Sequence, residues 1–478
     1  MSVENTHEGP ARIGHYMSGT RSVHFIGVGG VMMSSLAILT RRMGYAVSGS
    51  DRTASAVTRT LEAEGVVMHY AHAAGHVAPD CGLVVYTVAI SADNPEYMTA
   101  KERGIPCVSR ADYLGWLMTG YRNRVGVSGM HGKSTCTSMC TQLFLEADAD
   151  PTVLIGADFA PIGGAFRLGG RRHFLFEACE YMDSFLDFRP TVAILLGEEQ
   201  EHVDYFKSME QIEESFARFA GLTGQDGVTI CNADDEHSVR SAQTAFARGT
   251  TGRLIRFGVH TPDADFFAAD PHLENGLPVF ELCVYGENWG KVHLQTPGIH
   301  HVYTALAASA AAVVGGLDRA SILRGLEKFA GVDRRMQLRG RVGGVPVYDD
   351  YAHHPTEIRA TLTGARALVG THEDGTEGRL VCVFQPHTYS RTAELYPDFL
   401  TAFDPADRVF FLDIYAAREV NIYGVSSAGL AADIGERAAY CASPADAADA
   451  LRAILQPGDV GIVMGAGDVI KVSGILFG

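Results

Sequence analysis

Apolar and polar positions alternate in blocks along this chain. Short apolar runs of strand length recur, each followed by a glycine-rich or polar turn and then by helical spacing. Between residues 21 and 120 the runs are VHFIGVG, YAVSGSD and LVVYTVA, the period of a small α/β unit. A second series opens with RVGVSG, turns, and enters a helix at Lys133; HFLFEAC, VAILL, GVTICNA and RLIRFGV follow as strands. Residues 263–298 read as strand-rich, with hairpin signals at Glu274-Asn275-Gly276 and Tyr285-Gly286-Glu287-Asn288. The segment Tyr303–Val314 is rich in Ala and Val, which predicts a helix buried on all sides. From residue 331 a third series runs VPVYDDY, a helix after Pro355, LVCVFQP, a helix from Arg391, RVFFLDI and VGIVMGAG.

The pattern predicts an α/β chain in pieces: a loose or loosely docked tail over 1–20, then domains over 21–120, 121–330 and 331–478. A length of 478 residues agrees with about three domains. Thirty-nine Lys and Arg against 56 Asp and Glu give a formal charge of −17. Such a surface repels nucleic acid and anionic membrane, so any positive potential for phosphates has to be local. The nine cysteines are odd in number and form no CxxC, which argues against a disulfide framework and a thiolate zinc site. Cys136 and Cys140 read as small core residues of a helix. The N-terminus lacks the apolar region of a secretory signal. The apolar run Val23–Leu39 is only 17 residues long, and a strand, turn and helix explain it better than a bilayer span. A cytoplasmic protein without membrane or nucleic-acid partner is expected.

Two glycine turns carry the first chemistry. Gly27, Gly29 and Gly30 follow a strand and precede a helix, so backbone amides can approach a diphosphate at the helix N-terminus. Asp51 ends the next strand, where an acid can accept from a ribose hydroxyl. Taken alone this turn suggests a nicotinamide-dependent dehydrogenase. The second turn is a P-loop. Gly126, Gly129, Met130, His131, Gly132, Lys133, Ser134 and Thr135 run from a strand into a helix. Its amides can wrap a β-phosphate, Lys133 can reach the β and γ oxygens, and the Ser134 hydroxyl can ligate Mg²⁺. Two phosphate cradles about 100 residues apart do not suit a dehydrogenase. They suit a ligase that activates one substrate with ATP while holding another nucleotide.

Further polar clusters stand at strand ends. Glu177 and Glu180 close HFLFEACE, and Glu198, Glu199, Glu201 and His202 follow VAILL. Carboxylates there, near a P-loop, are natural Mg²⁺ ligands. Asp349, Asp350, His353 and His354 precede Pro355; adjacent histidines are poor chelate spacing, so metal binding by that pair is not expected. Gln385, His387 and Arg391 form another cluster, with Arg391 suited to a carboxylate or phosphate. The shared topology lets these clusters converge in an interdomain cleft.

Together the motifs resemble the Mur ligase family over residues 21 to 475. The matching stretches include HFIGVGGVMMSSLA, SGSD, AISADNPE, GMHGKST, EACEY, EHVDYF, PGIHH, DDYAHHPTEIRATL, FQPHTYSRT, DIYAAREVNIYGVSS and MGAGD. The DDYAHHPTEI and FQPHTYSRT segments fit the alanine-adding branch, and EACEY resembles its form in Gram-positive lineages. The resemblance implies a Rossmann-like N-terminal domain for a UDP-sugar, a central P-loop ATPase domain and a Rossmann-like C-terminal domain. It implies ligation of L-alanine to UDP-N-acetylmuramate through an acyl phosphate, for peptidoglycan synthesis, by a monomer or homodimer. Carried over, Gly27, Gly29 and Gly30 meet the UDP diphosphate and Asp51 lies near the uridine end. Gly129 to Thr135 hold ATP, with Lys133 catalytic and Ser134 on Mg²⁺. Glu177 and His202 match second-metal ligands. His202, His354 and Arg391 stand as catalytic candidates, and His387 and Arg391 as substrate contacts.

The chain departs from the family pattern where nucleotide and metal are handled. Leu196-Gly197 replace a Thr-Asn pair, Met130 replaces a threonine, and His301 and Thr304 replace two asparagines. Adenine recognition then falls to other groups such as His301. A catalytically weakened paralogue that binds the UDP-sugar as a regulator is the alternative those changes raise. The preference among L-Ala, Gly and L-Ser, and the base for the amine, are not readable from the residues.

Overall fold

The computed structural model describes residues 3–201, 205–274, 276–417 and 419–478. They divide into two compact units: residues up to Phe267 with Leu306–Gly325, and Ala268–Ala305 with Leu326–Gly478.

The first unit carries two sheets. Strands β1 (Ser22–Ile26), β2 (Ala46–Asp51), β3 (Val67–Tyr70), β4 (Leu83–Tyr86) and β5 (Cys107–Ser109) are parallel in the order β3-β2-β1-β4-β5. The order reverses beside β1, the switch point where doubly wound sheets leave a crevice for a ligand. Val23 and Phe25 face one layer of core while Ile26 faces the other, so the strand is buried on both sides as parallel strands require. The second sheet follows with β6 (Asn123–Ser128), β7 (Thr152–Phe159), β8 (Gly164–Arg167), β9 (His173–Glu177), β10 (Val192–Leu195), β11 (Val228–Asn232) and β12 (Arg253–Gly258). Its order is β12-β11-β10-β6-β9-β7-β8, parallel except for the β7–β8 pair. The two sheets share a core: Phe25 and Tyr113 belong to the same buried cluster as Phe174, Phe185 and Phe219. Gly115 makes that approach possible, because a Cβ there would stand 2.0 Å from the Asp187 carbonyl oxygen.

The N-terminal stretch is not a loose tail. Pro10–Gly19 is a helix whose Ile13 and Met17 are buried in the shared core. Ahead of it, the Asp112 carboxylate accepts from Glu8 N–H (2.7 Å), Gly9 N–H (3.1 Å) and the Thr6 hydroxyl (3.0 Å). His7 pairs with buried Asp187 at 2.6 Å. The partners of Thr6 and His7 lie more than 100 residues away in the chain and leave no local signal.

In the second unit, β14 (Leu277–Val284) and β15 (Glu287–His293) form the hairpin expected at Tyr285-Gly286, with φ of 50° and 79° at the two turn residues. These follow β13 (Phe266–Glu274), whose first residues pair with β12. Asn275, in the other hairpin signal, lies outside the described residues. Six strands make the last sheet: β16 (Gln337–Val342), β17 (Val345–Asp350), β18 (Leu380–Phe384), β19 (Arg408–Phe411), β20 (Ala438–Tyr440) and β21 (Val460–Met464). The order is β16-β17-β21-β18-β19-β20, parallel but for the β16–β17 hairpin. The alanine-rich helix spans His301–Gly315 and is buried along most of its length.

Candidate active site

Strand β6 delivers the chain into the turn Gly129–Gly132, and the helix Lys133–Glu146 begins at once. Gly129 takes φ of 142° and Gly132 φ of 78°, conformations that L side chains resist. A Cβ on Gly129 would also meet the Leu196 Cβ at 2.8 Å. Gly132 supplies no side-chain cap to the helix. A helix start of this kind offers its first-turn N–H groups and dipole to an anion. Ser134 and Thr135 lie in that first turn.

Lys133 folds back over the loop. Its Nζ donates to the Gly129 carbonyl (2.7 Å), the Met130 carbonyl (3.1 Å) and the Glu180 carboxylate (3.0–3.1 Å). Burial alone would push this ammonium down, but the Glu180 charge outweighs it and holds Lys133 above its usual range. Glu180 is fully buried. The carboxylate therefore occupies the lysine much as a phosphate oxygen would. Glu180 stood with Glu177 among the carboxylates read as Mg²⁺ ligands, because nothing in its spacing marks it as the partner of Lys133. Glu177 ends β9 in register with Val127, and its Oε1 accepts from Gly156 N–H at 2.7 Å.

Around the loop, His131 Nε2 stands against the Glu199 carboxylate. The Met130 N–H donates to the Gly197 carbonyl (3.0 Å), the Leu196 N–H to the Ser128 carbonyl (3.0 Å), and Asn232 Nδ2 to the Leu196 carbonyl (3.0 Å). Met130, Leu196 and Gly197, three of the departures from the family pattern, thus form one contact set under the P-loop. Glu198 follows, buried, with Ser241 Oγ donating to its Oε2 at 2.8 Å. Burial pushes its carboxyl up to about 9. His202 lies outside the described residues.

The first glycine turn is built in the same way. Gly27 has φ of 77°, and Gly30 precedes the helix Val31–Arg42 with no side-chain cap. Asp51 Oδ2 accepts from Gly29 N–H at 2.8 Å. The acid is thus tied to the turn itself, which fixes the turn's shape at the ends of β1 and β2.

The remaining candidates belong to the second unit. His301 opens the helix His301–Gly315; its ring is buried beside His300 at 4.1 Å, and its Nδ1 has no hydrogen-bond partner among the described residues. Burial pushes His300 down to about 4 and His301 well below the usual imidazole range, so both rings are neutral. Thr304 is buried one turn along. His354 caps the helix Pro355–Arg366, its Nδ1 accepting from Thr356 N–H at 3.3 Å. His387 stacks on Tyr415 (5.6 Å) and meets His353 edge-on (5.8 Å). Arg391 lies in the short helix Tyr389–Glu394, whose Ser390 is bound through N–H and Oγ to Glu419. Arg334 and Arg335, which sequence spacing had not singled out, place guanidinium groups 4.8 and 5.3 Å from the Tyr351 ring. Among the described residues no group of three or more His, Cys, Asp or Glu is arranged to hold a metal by itself. No described helix is long and apolar enough to cross a membrane.

A P-loop with its lysine on a buried carboxylate, in a chain with a second glycine turn, defines a nucleotide-handling α/β protein. Comparison with known proteins narrows the class. Three family models match in order: the Mur ligase family, catalytic domain, over residues 22–122; the Mur ligase middle domain over 127–312; and the Mur ligase, glutamate ligase domain, over 334–467. A UDP-N-acetylmuramate–L-alanine ligase of Lachnospira eligens is 41% identical over 94% of this chain and 96% of its own. One from Acetivibrio thermocellus is 40% identical over 95% and 94%. The crystal structure of UDP-N-acetylmuramate-alanine ligase from Thermotoga maritima matches with a TM-score of 0.76 and 24% identity, covering 95% of this chain and 98% of that one. The chain belongs to the Mur ligase family.

Proposed function

We infer that this protein is an ATP-dependent ligase that joins L-alanine to UDP-N-acetylmuramate in peptidoglycan precursor synthesis. The observation that carries the reading is the Lys133 cradle, in a chain that shares 41% identity over 94% of its length with a relative of that name. Residues 21–120 take the UDP-sugar and 121–330 the ATP.

Each group fits its place. The uncapped helix start and the left-handed glycines form a cradle that a Cβ would fill, which suits ATP phosphates. Ser134 and Glu177 offer hard oxygens to Mg²⁺, which takes few protein ligands beside phosphate and water; His202 completes the family's set. Bound Mg²⁺ supplies charge neutralisation at the phosphates. Lys133 exchanges Glu180 for a phosphate oxygen and offsets the charge that develops there. The substrate carboxylate takes the phosphoryl group as an acyl phosphate, and the amine of L-alanine displaces phosphate. Arg391 and His387 then face substrate, and neutral His301 takes part in holding the base. ATP and the nucleotide sugar place the reaction in the cytoplasm.

Phosphate release is the test. It is expected only when ATP, Mg²⁺, UDP-N-acetylmuramate and an amino acid are all present, with L-Ala favoured over Gly and L-Ser. Binding of the UDP-sugar without turnover for any amino acid would leave the regulator reading, which the changes at Met130, Leu196, Gly197, His301 and Thr304 motivate.

A further inference from the structure

Residues 3–9 form a strap that runs from the neighbourhood of one glycine turn to that of the other. Its first end lies on the first sheet. Val3 belongs to the buried cluster of Ile26, Tyr86 and Ile90. The Val3 N–H donates to the Ile90 carbonyl (3.3 Å), and the Tyr86 hydroxyl donates to the Glu4 carbonyl (2.8 Å). Residues 87–90 in turn press on the first glycine turn: a Cβ on Gly27 would stand 2.7 Å from Thr87 Cγ2 and 3.9 Å from Ile90 Cγ2. The middle of the strap is clamped to the start of the helix Arg110–Met118. There Ser109 N–H donates to Thr6 Oγ1 (2.8 Å), and Asp112 accepts from Thr6, Glu8 and Gly9.

The other contacts of the strap reach the turn behind the P-loop lysine. Asn5 Nδ2 donates to the Met182 carbonyl (3.4 Å), and His7 Nδ1 pairs with Asp187 Oδ1 (2.6 Å). Both partners lie in the turn Tyr181–Asp187, which starts directly after Glu180, the residue that faces Lys133. Met182 and Asp183 each take φ of 55°. That conformation is strained for residues with a side chain and lasts only where the surroundings enforce it. One side of the enforcement is the Asp183 carboxylate, which accepts from the Tyr205 hydroxyl (2.9 Å) and from Ser215 of the helix Met209–Gly221. Glu180 on Lys133 anchors the start of the turn, and the strap supplies the remaining side.

We propose that the strap couples the two nucleotide sites, with Asn5 and His7 as positioning residues for the Lys133–Glu180 pair. The proposal rests on the UDP-sugar and ATP reading above. A phosphate oxygen that takes Lys133 releases Glu180, and the strained turn after it moves to a second arrangement. The strap carries that movement through Glu4 and Val3 to residues 86–90, which bear on Gly27. Coupling of this kind is reciprocal, so each ligand alters the affinity for the other by the same factor. The shared core also joins the two sheets. Cutting the strap leaves that core in place, so strap variants separate the two routes.

The test is calorimetric titration of the full-length protein. UDP-N-acetylmuramate is titrated with and without a saturating non-hydrolysable ATP analogue and Mg²⁺, and the analogue with and without UDP-N-acetylmuramate. In the wild type each ligand should change the affinity for the other by about fivefold or more, equally in both directions. Tyr86→Phe cuts the first end of the strap. His7→Ala combined with Asp187→Asn cuts the other end without stranding a buried carboxylate. Each should bring the coupling below about twofold while leaving the affinity for either ligand alone within about threefold of wild type. Cutting both ends should do no more than cutting one, as for links in series. A merely structural role would lower the melting temperature and weaken each ligand alone with the coupling intact. Coupling kept in full by the cut variants, or a wild type that binds both ligands without coupling, overturns the proposal. If the His7→Ala/Asp187→Asn chain does not fold, Tyr86→Phe, which loses one hydroxyl, decides. A wild type that fails to bind one of the two ligands overturns instead the reading on which the proposal stands.

Discussion

Replacing Lys133 by methionine strands a buried carboxylate, and the consequence can be worked out from the contacts. Lys133→Met keeps a chain of similar length but removes the ammonium that faces Glu180 at 3.0–3.1 Å. Breaking a buried ion pair from one side costs about 3–5 kcal/mol, because the remaining charge stays in the interior. The lost bonds to the Gly129 and Met130 carbonyls add about 1 kcal/mol each. At roughly 2 °C per kcal/mol for a unit of this size, the melting transition should fall by about 10–14 °C. Adding Glu180→Gln removes the stranded charge, so the double variant should regain roughly half of the loss. Scanning calorimetry on the full chain, following the transition that ATP shifts, gives the readout. A Lys133→Met transition within about 1 °C of wild type, or a double variant as low as the single one, would refute the pairing as the source of the cost.

Two further predictions concern regions outside the phosphate cradle. Asp112→Ala removes an acceptor from two backbone N–H groups, each such charge-assisted bond being worth about 1.5–3 kcal/mol. Hydrogen exchange at Glu8 and Gly9 should then speed up by at least about tenfold while β1 and β6 keep their protection; unchanged exchange would show that the strap is held elsewhere. Glu198 has its carboxyl raised from 4.5 to about 9 by burial, so the folded chain holds a proton that the unfolded chain releases. That group's contribution to stability is full below its ordinary value and is lost as pH rises towards 9. Glu198→Gln should therefore gain in melting temperature relative to wild type steadily from pH 5 to pH 9, and a difference flat across that range would contradict the burial argument.

The parts of this molecule that could be read from sequence are those whose signal is local. Apolar runs marked β1, β2, β4 and most central strands, because a parallel strand buried on both faces must be apolar throughout. The P-loop announced itself through glycines at Gly129 and Gly132, where φ of 142° and 78° admits little else. What escaped depends on distant partners. Strands β3 and β16 are short edge or near-edge strands with exposed positions such as Val67 and Leu338, so their patterns are not those of core strands. The N-terminal helix is anchored through Asp112 and the shared core rather than by its own composition. Glu180 and Glu177 differ only in that one turns inward to Lys133 and the other towards Gly156. The ring of bonds around Glu96 joins residues 24, 50, 72, 73 and 76, and no spacing rule connects them.

The most direct test of the ligase account follows the oxygen atoms. If the lactyl carboxylate of UDP-N-acetylmuramate is labelled with heavy oxygen, attack on the γ-phosphorus carries one labelled atom into the acyl phosphate. Displacement by L-alanine then leaves that atom on the released phosphate. Mass spectrometry of the phosphate should show one heavy oxygen per turnover, alongside the alanine adduct of the UDP-sugar. Unlabelled phosphate released at the same rate as adduct would contradict carboxylate activation by ATP, and with it the role assigned to the Lys133 cradle.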